Sequence, residues 1–411
     1  MSQDTLVAST RRQQSSSMQL FTGLLARADI RVNGSRPCDI RIHNPRVAQR
    51  TLTQANLGLG ESYMDGDWDC DALDQFFDRI LRTKVDRAVS PLRLLFHALR
   101  FRLLNLQTAR RAFQVGERHY DIGNDLYRAM LDERLTYTCG YWEQATTLEA
   151  AQEAKLDLIC RKLDLQPGQR VLDIGCGWGG MAIYLARHFD CRVTGITLST
   201  EQLALARERA EAAGVAGRTS FELVDYRNLA TSGTQFDRIV SVGMFEHVGR
   251  PQFDTFFDAV TRLLTDDGVM LLHTIGRMGQ PGRTDNFTDR YIFPGGYIPA
   301  LSEVVSSSEK FRLIPTDVET LRLHYAKTLR SWYAHCQANR DAIEKMYDAR
   351  FFRMWTFYLS GSTAAFETGG MCNYQIQYVR NRHALPLTRD YLADVEQKLL
   401  TSTSVAVTAN P

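Results

Sequence analysis

The sequence of 411 residues lacks several features that would each indicate a particular class of protein. No apolar run approaches the roughly 20 residues of a membrane-spanning helix. The eight cysteines show neither CxxC pairs nor zinc-type spacing, so no metal site is expected. A formal net charge of only +2 gives no reason to expect nucleic-acid binding. The polar, Ser-rich start lacks the apolar core of a secretory signal, and we therefore expect a cytoplasmic protein with reduced thiols.

The composition that remains is that of a globular protein, with 44% hydrophobic and 23% charged residues. We divide the chain into a disordered leader (residues 1–18), an N-terminal domain (19–114), a second domain (115–395) and a frayed tail (396–411). In the N-terminal domain the alternating stretch CDIRIHN predicts a strand, and DALDQFFDRILR predicts a helix.

The N-terminal domain closes with a pattern typical of a basic amphipathic helix, PLRLLFHALRFRLLNLQTARRAF. Leucines recur at helical spacing, and arginines lie between them at positions 93, 100, 102, 110 and 111. Two interpretations stay open. The helix either packs in the domain with a solvated basic face, or it contacts anionic lipid headgroups.

The second domain alternates short apolar strands with helices, which predicts a parallel sheet covered by helices on both faces. The predicted strands are RVLDIG, CRVTGITL, SFELVDY, FDRIVSVGM and GVMLLHTIG. The helix EQLALARERAEAAG should end at Gly214, because a glycine tolerates the left-handed conformation that often terminates a helix.

A glycine-rich loop follows the first of these strands, in VLDIGCGWGG at residues 171–180. Gly175 and Gly177 would let the backbone turn tightly and approach a ligand closely. In open α/β sheets ligands bind beyond the carboxyl ends of the strands, which is where this loop lies. The segment from Asp173 onward, DIGCGWG, resembles the first motif of class I methyltransferases.

Polar residues also follow the next two strands. Thr197 and Gln202 could hydrogen-bond a ribose or a methionine group, although many class I enzymes carry an acidic residue there. Asp225 and Tyr226 could contact an adenine amine and ring face. Their placement after successive strands favours a shared ligand site over unrelated surface pairs.

Proton-handling side chains are predicted near the same sheet edge. Glu246 and His247 lie beyond the fourth strand, His273 lies beyond the fifth, and Tyr325 begins a later helix. Each has an ordinary alternative: Glu246 as a helix cap, His273 as a satisfied buried histidine, and Tyr325 as a packing residue. Cys139 alone would be read as a small buried hydrophobe. Together they suit acid–base chemistry.

Five segments in order resemble the signature segments of the cyclopropane synthase family of methyltransferases, which includes enzymes acting on fatty-acyl phospholipids and on mycolic acids. They are HYDIGNDLYRAML, VLDIGCGWGG, FDRIVSVGMFEHVG, LLHTIG and YIFPGGYIP. NLGLGESYMDGDWDCD resembles the family's N-terminal region, so the similarity extends from about Ala28 to Tyr391.

The resemblance implies a Rossmann-like, class I α/β domain with a mostly parallel seven-stranded sheet, and a smaller N-terminal α+β or helical domain for lipid binding and dimerisation. It implies transfer of a methyl group from S-adenosylmethionine to the cis double bond of phospholipid acyl chains, with a bound bicarbonate as base. The implied bicarbonate site comprises Cys139, Glu246, His273, Ile275 and Tyr325, with Cys139 and Ile275 supplying backbone groups. The implied cofactor contacts are Tyr137, Thr138, Asp173, Gly175, Gly177, Thr197, Gln202, Asp225 and Tyr226.

The resemblance also implies a homodimer that contacts the inner face of the cell membrane peripherally. Three alternatives remain: a relative that makes a methyl or methylene branch, a methyltransferase for a small molecule or nucleic acid, and a non-catalytic lipid-binding homologue. Later aromatic residues such as Phe287 and Phe357 line an acyl slot or form ordinary core. Some relatives carry a cysteine where this chain has Ser362, so we assign Ser362 no catalytic role.

The headgroup interpretation of the basic helix predicts a loss of lipid binding on charge reversal. Changing Arg100, Arg102, Arg110 and Arg111 to Glu should weaken sedimentation with anionic vesicles at least about tenfold, because each basic residue near such a surface contributes on the order of 1 kcal/mol. Neutral vesicles serve as the control. Undiminished binding to anionic vesicles would favour the packed-helix interpretation.

Overall fold

The computed structural model describes residues 16–85 and 123–393, which fall into two compact units. The first unit draws on residues within 1–105, 283–295 and 325–371, and the second on those within 106–282, 296–324 and 372–411. The basic helix, the boundary at residues 114 and 115, and the tail from 396 lie outside the described residues. A first helix, α1, spans residues 16–27 and so begins inside the segment expected to be a leader.

The first unit is mainly helical. Besides α1, its helices are α2 (Arg46–Gln54), α3 (Asn56–Met64), α4 (Leu73–Thr83), α11 (Asn286–Tyr291), α13 (His324–Ala338), α14 (Arg340–Met346) and α15 (Ala349–Glu367). Strands β1 (Arg41–Ile42) and β2 (Trp68–Asp69) pair antiparallel. The strand predicted in CDIRIHN and the helix predicted in DALDQFFDRILR are both present.

An aromatic core explains why two later segments of the chain belong to this unit. Phe357 of α15 lies 4.9 Å from Phe77 of α4 and 4.7 Å from Phe287 of α11, measured between ring centroids. Trp68 packs against Phe76 at 5.2 Å. Sequence analysis placed residues 283–295 and 325–371 in the second domain, because local patterns do not reveal which distant helices share a core. Phe287 and Phe357 are therefore core residues of the first unit.

The second unit is built on a seven-stranded sheet in the order β5-β4-β3-β6-β7-β9-β8. Its strands are β3 (Arg170–Ile174), β4 (Arg192–Thr197), β5 (Thr219–Leu223), β6 (Phe236–Val242), β7 (Leu264–Arg277), β8 (Ile314–Leu321) and β9 (Met371–Val379). The first five pair parallel, and β8 pairs antiparallel with β9. The predicted α/β fold, its five strands and its seven-stranded sheet are confirmed.

The strand order reverses between β3 and β6, which opens a crevice at the carboxyl edge of the sheet. The helices of this unit are α5 (Asn124–Met130), α6 (Leu148–Lys162), α7 (Gly180–His188), α8 (Thr200–Ala212), α9 (Tyr226–Leu229), α10 (Phe253–Leu263) and α12 (Leu301–Ser308). No helix within the described residues is long and apolar enough to cross a membrane.

Helix α8 ends as the sequence predicts. Gly214 has a φ of +70°, and its N–H donates to the carbonyl of Glu211 at 2.9 Å. The N–H of Val215 reaches back to the carbonyl of Ala210 at 3.0 Å. This pair of bonds is the Schellman arrangement, which satisfies carbonyls left open at the end of a helix.

The aromatic core predicts opposite effects for two helical glycines of the first unit. A Cβ at Gly60 in α3 would lie 2.4 Å from the ring of Phe287, whereas one at Gly23 in α1 would meet nothing within 4 Å. Gly60→Ala should destabilise the protein by about 1–3 kcal/mol through overpacking. Gly23→Ala, the matched control, should stabilise it by about 0.5–1 kcal/mol. Urea unfolding measures both, and equal midpoints would refute the packing described here.

Candidate active site

The glycine-rich loop between β3 and α7 has the backbone geometry that its sequence predicts. Gly175, Gly177 and Gly179 have φ values of +83°, +53° and +79°, a region that glycine enters without strain. The N–H groups of Gly175 and Cys176 both donate to the carbonyl of Ile196 at 3.0 Å, which fastens the loop to β4. A Cβ at Gly177 would meet nothing within 4 Å, so the backbone is open to a ligand there.

Asp173 precedes this loop and is buried in β3. Its Oδ2 has no hydrogen-bond partner among the described residues. Burial raises the pKa of this carboxyl to about 7, and the positive charge of Lys155 partly opposes that effect. A buried polar atom without a partner is rare in folded proteins and indicates a place where a ligand can bind.

The polar pairs after β4 and β5 are each tied to a protein partner. The hydroxyl of Thr197 donates to Gln202 Oε1 at 2.8 Å, and both residues are buried. Asp225 Oδ1 accepts from the backbone N–H of Arg227 at 2.9 Å, and Asp225 Oδ2 lies 2.5 Å from the Arg227 guanidinium. Sequence reasoning missed Arg227, which occupies oxygens expected to meet an adenine amine. The sequence signal for this pair was the spacing. An aspartate two positions before an arginine can cap the start of a short helix and pair with the arginine.

An aromatic chain connects the segment before α6 to the glycine loop. The ring of Tyr137 lies 5.2 Å from that of Tyr127, which in turn lies 4.8 Å from Trp178 in the loop. Trp178 donates through its indole N–H to Asn124 Oδ1 at 2.8 Å. Two groups of predicted cofactor contacts, around Tyr137 and around Gly177, are thus neighbours through side-chain packing.

Glu246 and Ile275 meet directly. Glu246 lies in a short 3-10 helix after β6, Phe245–His247, and its Oε1 accepts from the backbone N–H of Ile275 at 2.6 Å. Its Oε2 is buried with no hydrogen-bond partner among the described residues. Burial raises the pKa of Glu246 to about 7 and is the largest effect on it. A carboxyl with this pKa can act as a proton donor or as an acceptor near neutral pH.

His273 lies inside β7, so the prediction that it follows the strand is wrong. The strand runs on to Arg277, which forms a further parallel bridge with Ala300. The imidazole is buried, with Nε2 3.1 Å from the Asn373 amide and Nδ1 3.2 Å from the Gln375 amide. Burial lowers the pKa of His273 well below its usual range, which keeps the ring neutral.

A neutral imidazole carries one N–H donor and one acceptor nitrogen. The contacting atoms are both amide nitrogens, Asn373 Nδ2 and Gln375 Nε2, and only one of them can donate to the ring's single acceptor nitrogen. Sequence reasoning missed Asn373 and Gln375. The signal was the alternation of polar residues in NYQIQ, which places them on one face of β9.

The remaining predicted residues are distributed over both units. Cys139, in the second unit, is buried, and its thiol donates to the carbonyl of Gly140 at 3.3 Å. Tyr325 belongs to the first unit, where its ring lies 4.7 Å from Phe366 and 5.6 Å from Trp332. Within the second unit Glu246 contacts Ile275, and His273 lies two residues before Ile275 on β7; the catalytic roles of all five residues stay predictions.

Comparisons with known proteins agree on one family. The family model for mycolic acid cyclopropane synthetase matches residues 107–376. The chain is 45% identical over 358 residues to cyclopropane-fatty-acyl-phospholipid synthase of Escherichia coli (strain K12), covering 87% of this chain and 92% of that protein. It is 35% identical to tuberculostearic acid methyltransferase of Mycobacterium tuberculosis, covering 82% of each. A solved mycolic acid cyclopropane synthase complexed with SAH and CTAB matches with a TM-score of 0.61 and 35% identity, over 65% of this chain and 97% of that one.

Because its pKa is raised, burial of Glu246 should lower the free energy of unfolding by an amount that depends on pH. Its folded pKa of about 7 exceeds its usual 4.5, so the stability linked to its neutral form is full below 4.5 and is lost as the pH rises through 7. Glu246→Gln keeps an acceptor for Ile275 but cannot ionise. Between about pH 4 and pH 8, the variant should gain about 3 kcal/mol of stability relative to wild type.

Urea unfolding at several pH values measures this difference. Glu201→Gln, a change at an exposed position in α8, is the matched control and should leave the pH dependence of wild type unchanged. If Glu246→Gln also followed the wild-type curve, the carboxyl would not be held in the buried environment described here.

Proposed function

Because this chain belongs to the mycolic acid cyclopropane synthetase family, we propose that it transfers the methyl group of S-adenosylmethionine to the cis double bond of unsaturated phospholipid acyl chains and closes a cyclopropane ring. The observation that carries the proposal is the 45% identity to a cyclopropane-fatty-acyl-phospholipid synthase over 92% of that enzyme's length. The open glycine loop beside a buried acid supports it within the fold.

The reaction needs alignment first and a proton acceptor second. The sulfonium makes the methyl carbon electrophilic, but an alkene is a weak nucleophile, so holding the two in line supplies much of the acceleration. The carbon–sulfur bond breaks as the alkene electrons form a bond to the methyl carbon. The resulting cation must then lose a proton from that carbon, and the electron pair of the broken C–H bond closes the ring.

Bicarbonate, when bound, would supply the base that accepts this proton. The state of Glu246 fits such an anion. Glu246 has a buried oxygen without a partner and a pKa of about 7, so its protonated form can donate a hydrogen bond to an anion. His273 is neutral, but amides face both of its ring nitrogens, so its part in holding the anion rests on the family resemblance.

The backbone contribution expected of Ile275 needs adjustment, because its N–H already donates to Glu246. Ile275 therefore acts by orienting the Glu246 carboxyl. The roles proposed for Cys139 and Tyr325 rest on the family resemblance. Peripheral contact with the inner face of the membrane follows from where the acyl chains reside, and the homodimer rests on the resemblance alone.

A second candidate product is a methyl-branched chain. It is favoured by the 35% identity to tuberculostearic acid methyltransferase over 82% of each chain. In that outcome the same cation would undergo a 1,2-hydride shift and lose a proton to give a methylene branch, and a saturated methyl branch would need a separate hydride donor to reduce it. The methyl donor and the residues that bind it would be the same, so only the product distinguishes the two.

Purified protein should convert unsaturated phospholipid vesicles and S-adenosylmethionine into acyl chains that have gained one CH2 unit and have lost the alkene without gaining hydrogen. Mass spectrometry with double-bond derivatisation measures this product. Removing bicarbonate, or introducing Glu246→Gln, should slow turnover about 100-fold or more, while calorimetry shows unchanged affinity for S-adenosylmethionine. A methyl or methylene branch would select the second candidate, and full activity without bicarbonate would reject the proposed base.

A further inference from the structure

Helix α6 (Leu148–Lys162) carries two fully buried lysines, two turns apart, in contrasting surroundings. Lys162 Nζ lies 2.5 Å from Glu319 and 3.4 Å from Asp317, so its charge is balanced by carboxylates. Lys155 has no carboxylate within ion-pair distance among the described residues, and its Nζ donates to the Thr138 hydroxyl at 2.9 Å. Asp132 and Asp173 lie close enough to act on its charge but form no ion pair with it, which makes Lys155 the less well balanced member of the pair.

The same helix holds the segment around Thr138 at several other points. Gln152 is buried, and its Nε2 donates to the carbonyl of Thr138 at 2.8 Å and to that of Thr136 at 3.3 Å. Farther along, the N–H of Tyr141 donates to the carbonyl of Ala151 at 2.8 Å. One face of α6 therefore fixes both the backbone and a side chain of residues 136–141.

This segment carries three predicted contacts of the site, Tyr137, Thr138 and Cys139. Tyr137 connects to the glycine loop through the aromatic chain described above. Thr138 packs against the turn after β6, since a Cβ at Gly243 would lie only 2.5 Å from the Thr138 methyl group. That turn leads to Glu246, so Thr138 lies next to an element that carries the proton-handling carboxyl.

The ammonium of Lys155 determines how the Thr138 hydroxyl is oriented. An ammonium group donates hydrogen bonds and accepts none. The Thr138 oxygen must therefore accept from Lys155, and its own proton points elsewhere. No hydrogen bond from that proton to another described residue is present, and the side chain is only partly buried, so the proton faces water or a ligand. An oxygen of a bound ligand would accept this proton.

We propose that Lys155 and Gln152 are positioning residues, which hold Thr138 and its hydroxyl proton in the orientation that binds an oxygen of the methyl donor. The inference rests on the proposed function for the identity of that donor. Burial lowers the pKa of Lys155 to about 8, in keeping with an ammonium held away from water. Lys162 takes no part in these contacts, since its ammonium pairs with Asp317 and Glu319.

The test compares Lys155→Met with Lys162→Met in the full chain. Calorimetry measures the Kd for S-adenosylmethionine, and thermal unfolding records the stability of each variant. Lys155→Met should weaken affinity about tenfold or more, the scale of one lost charge-assisted hydrogen bond. Lys162→Met should lower the unfolding temperature but leave Kd within about twofold of wild type, because its partners are Asp317 and Glu319.

Two further variants keep the test decisive if Lys155→Met folds poorly. Gln152→Leu should raise the Kd for S-adenosylmethionine several-fold. If Lys155 acts through the Thr138 hydroxyl, Lys155→Met should raise this Kd little further when Thr138 is already changed to Val. Wild-type affinity in Lys155→Met or Gln152→Leu, equal loss in Lys162→Met, or additive effects in the double variant would overturn the inference. If wild type binds S-adenosylmethionine but forms no ring, the proposed function fails and this inference still stands on the Kd values.

Discussion

The hydrogen bond from the Ile275 N–H to Glu246 Oε1, at 2.6 Å, is the contact on which the proposed chemistry depends. It joins the turn after β6 to β7 at the carboxyl edge of the sheet, beside the point between β3 and β6 where the strand order reverses. Because one carboxyl oxygen is engaged, the other has a defined direction, and it lies in a buried environment without a partner among the described residues. Parallel pairing of β6 and β7 sets the distance between the two residues, so the sheet itself orients the acid.

The groups around this contact share one electrostatic property: burial favours their neutral forms. The pKa of Glu246 is raised to about 7, and the pKa of His273 is lowered well below its usual range. Asn373 and Gln375 bind the imidazole without adding charge. The proposed reaction passes from a sulfonium to a carbocation. In a buried medium of low polarity, a fixed charge in the wrong place would strongly change the energy of that cation, so neutral groups suit the reaction.

Sequence reasoning succeeded where the cause is local. The strands, the glycine loop and the end of α8 at Gly214 follow from apolar periodicity and from conformations that favour glycine. It failed where partners are distant in the chain. Residues 283–295 and 325–371 were assigned to the second domain, although they pack against α3 and α4 of the first unit. Nothing local to His273 indicated that two amides, 100 and 102 positions away, would hold its ring.

The discontinuous composition of the first unit has a consequence for synthesis on the ribosome. Trp68, Phe76 and Phe77 emerge early, but Phe357, which completes their cluster, is made almost 300 residues later. Strand β9, which lies between β7 and β8 in the sheet, is the last strand to be made. Such long-range contacts slow folding and leave apolar surface uncovered while the chain grows. Truncation before α15 would therefore leave both units incomplete, with their apolar surfaces uncovered.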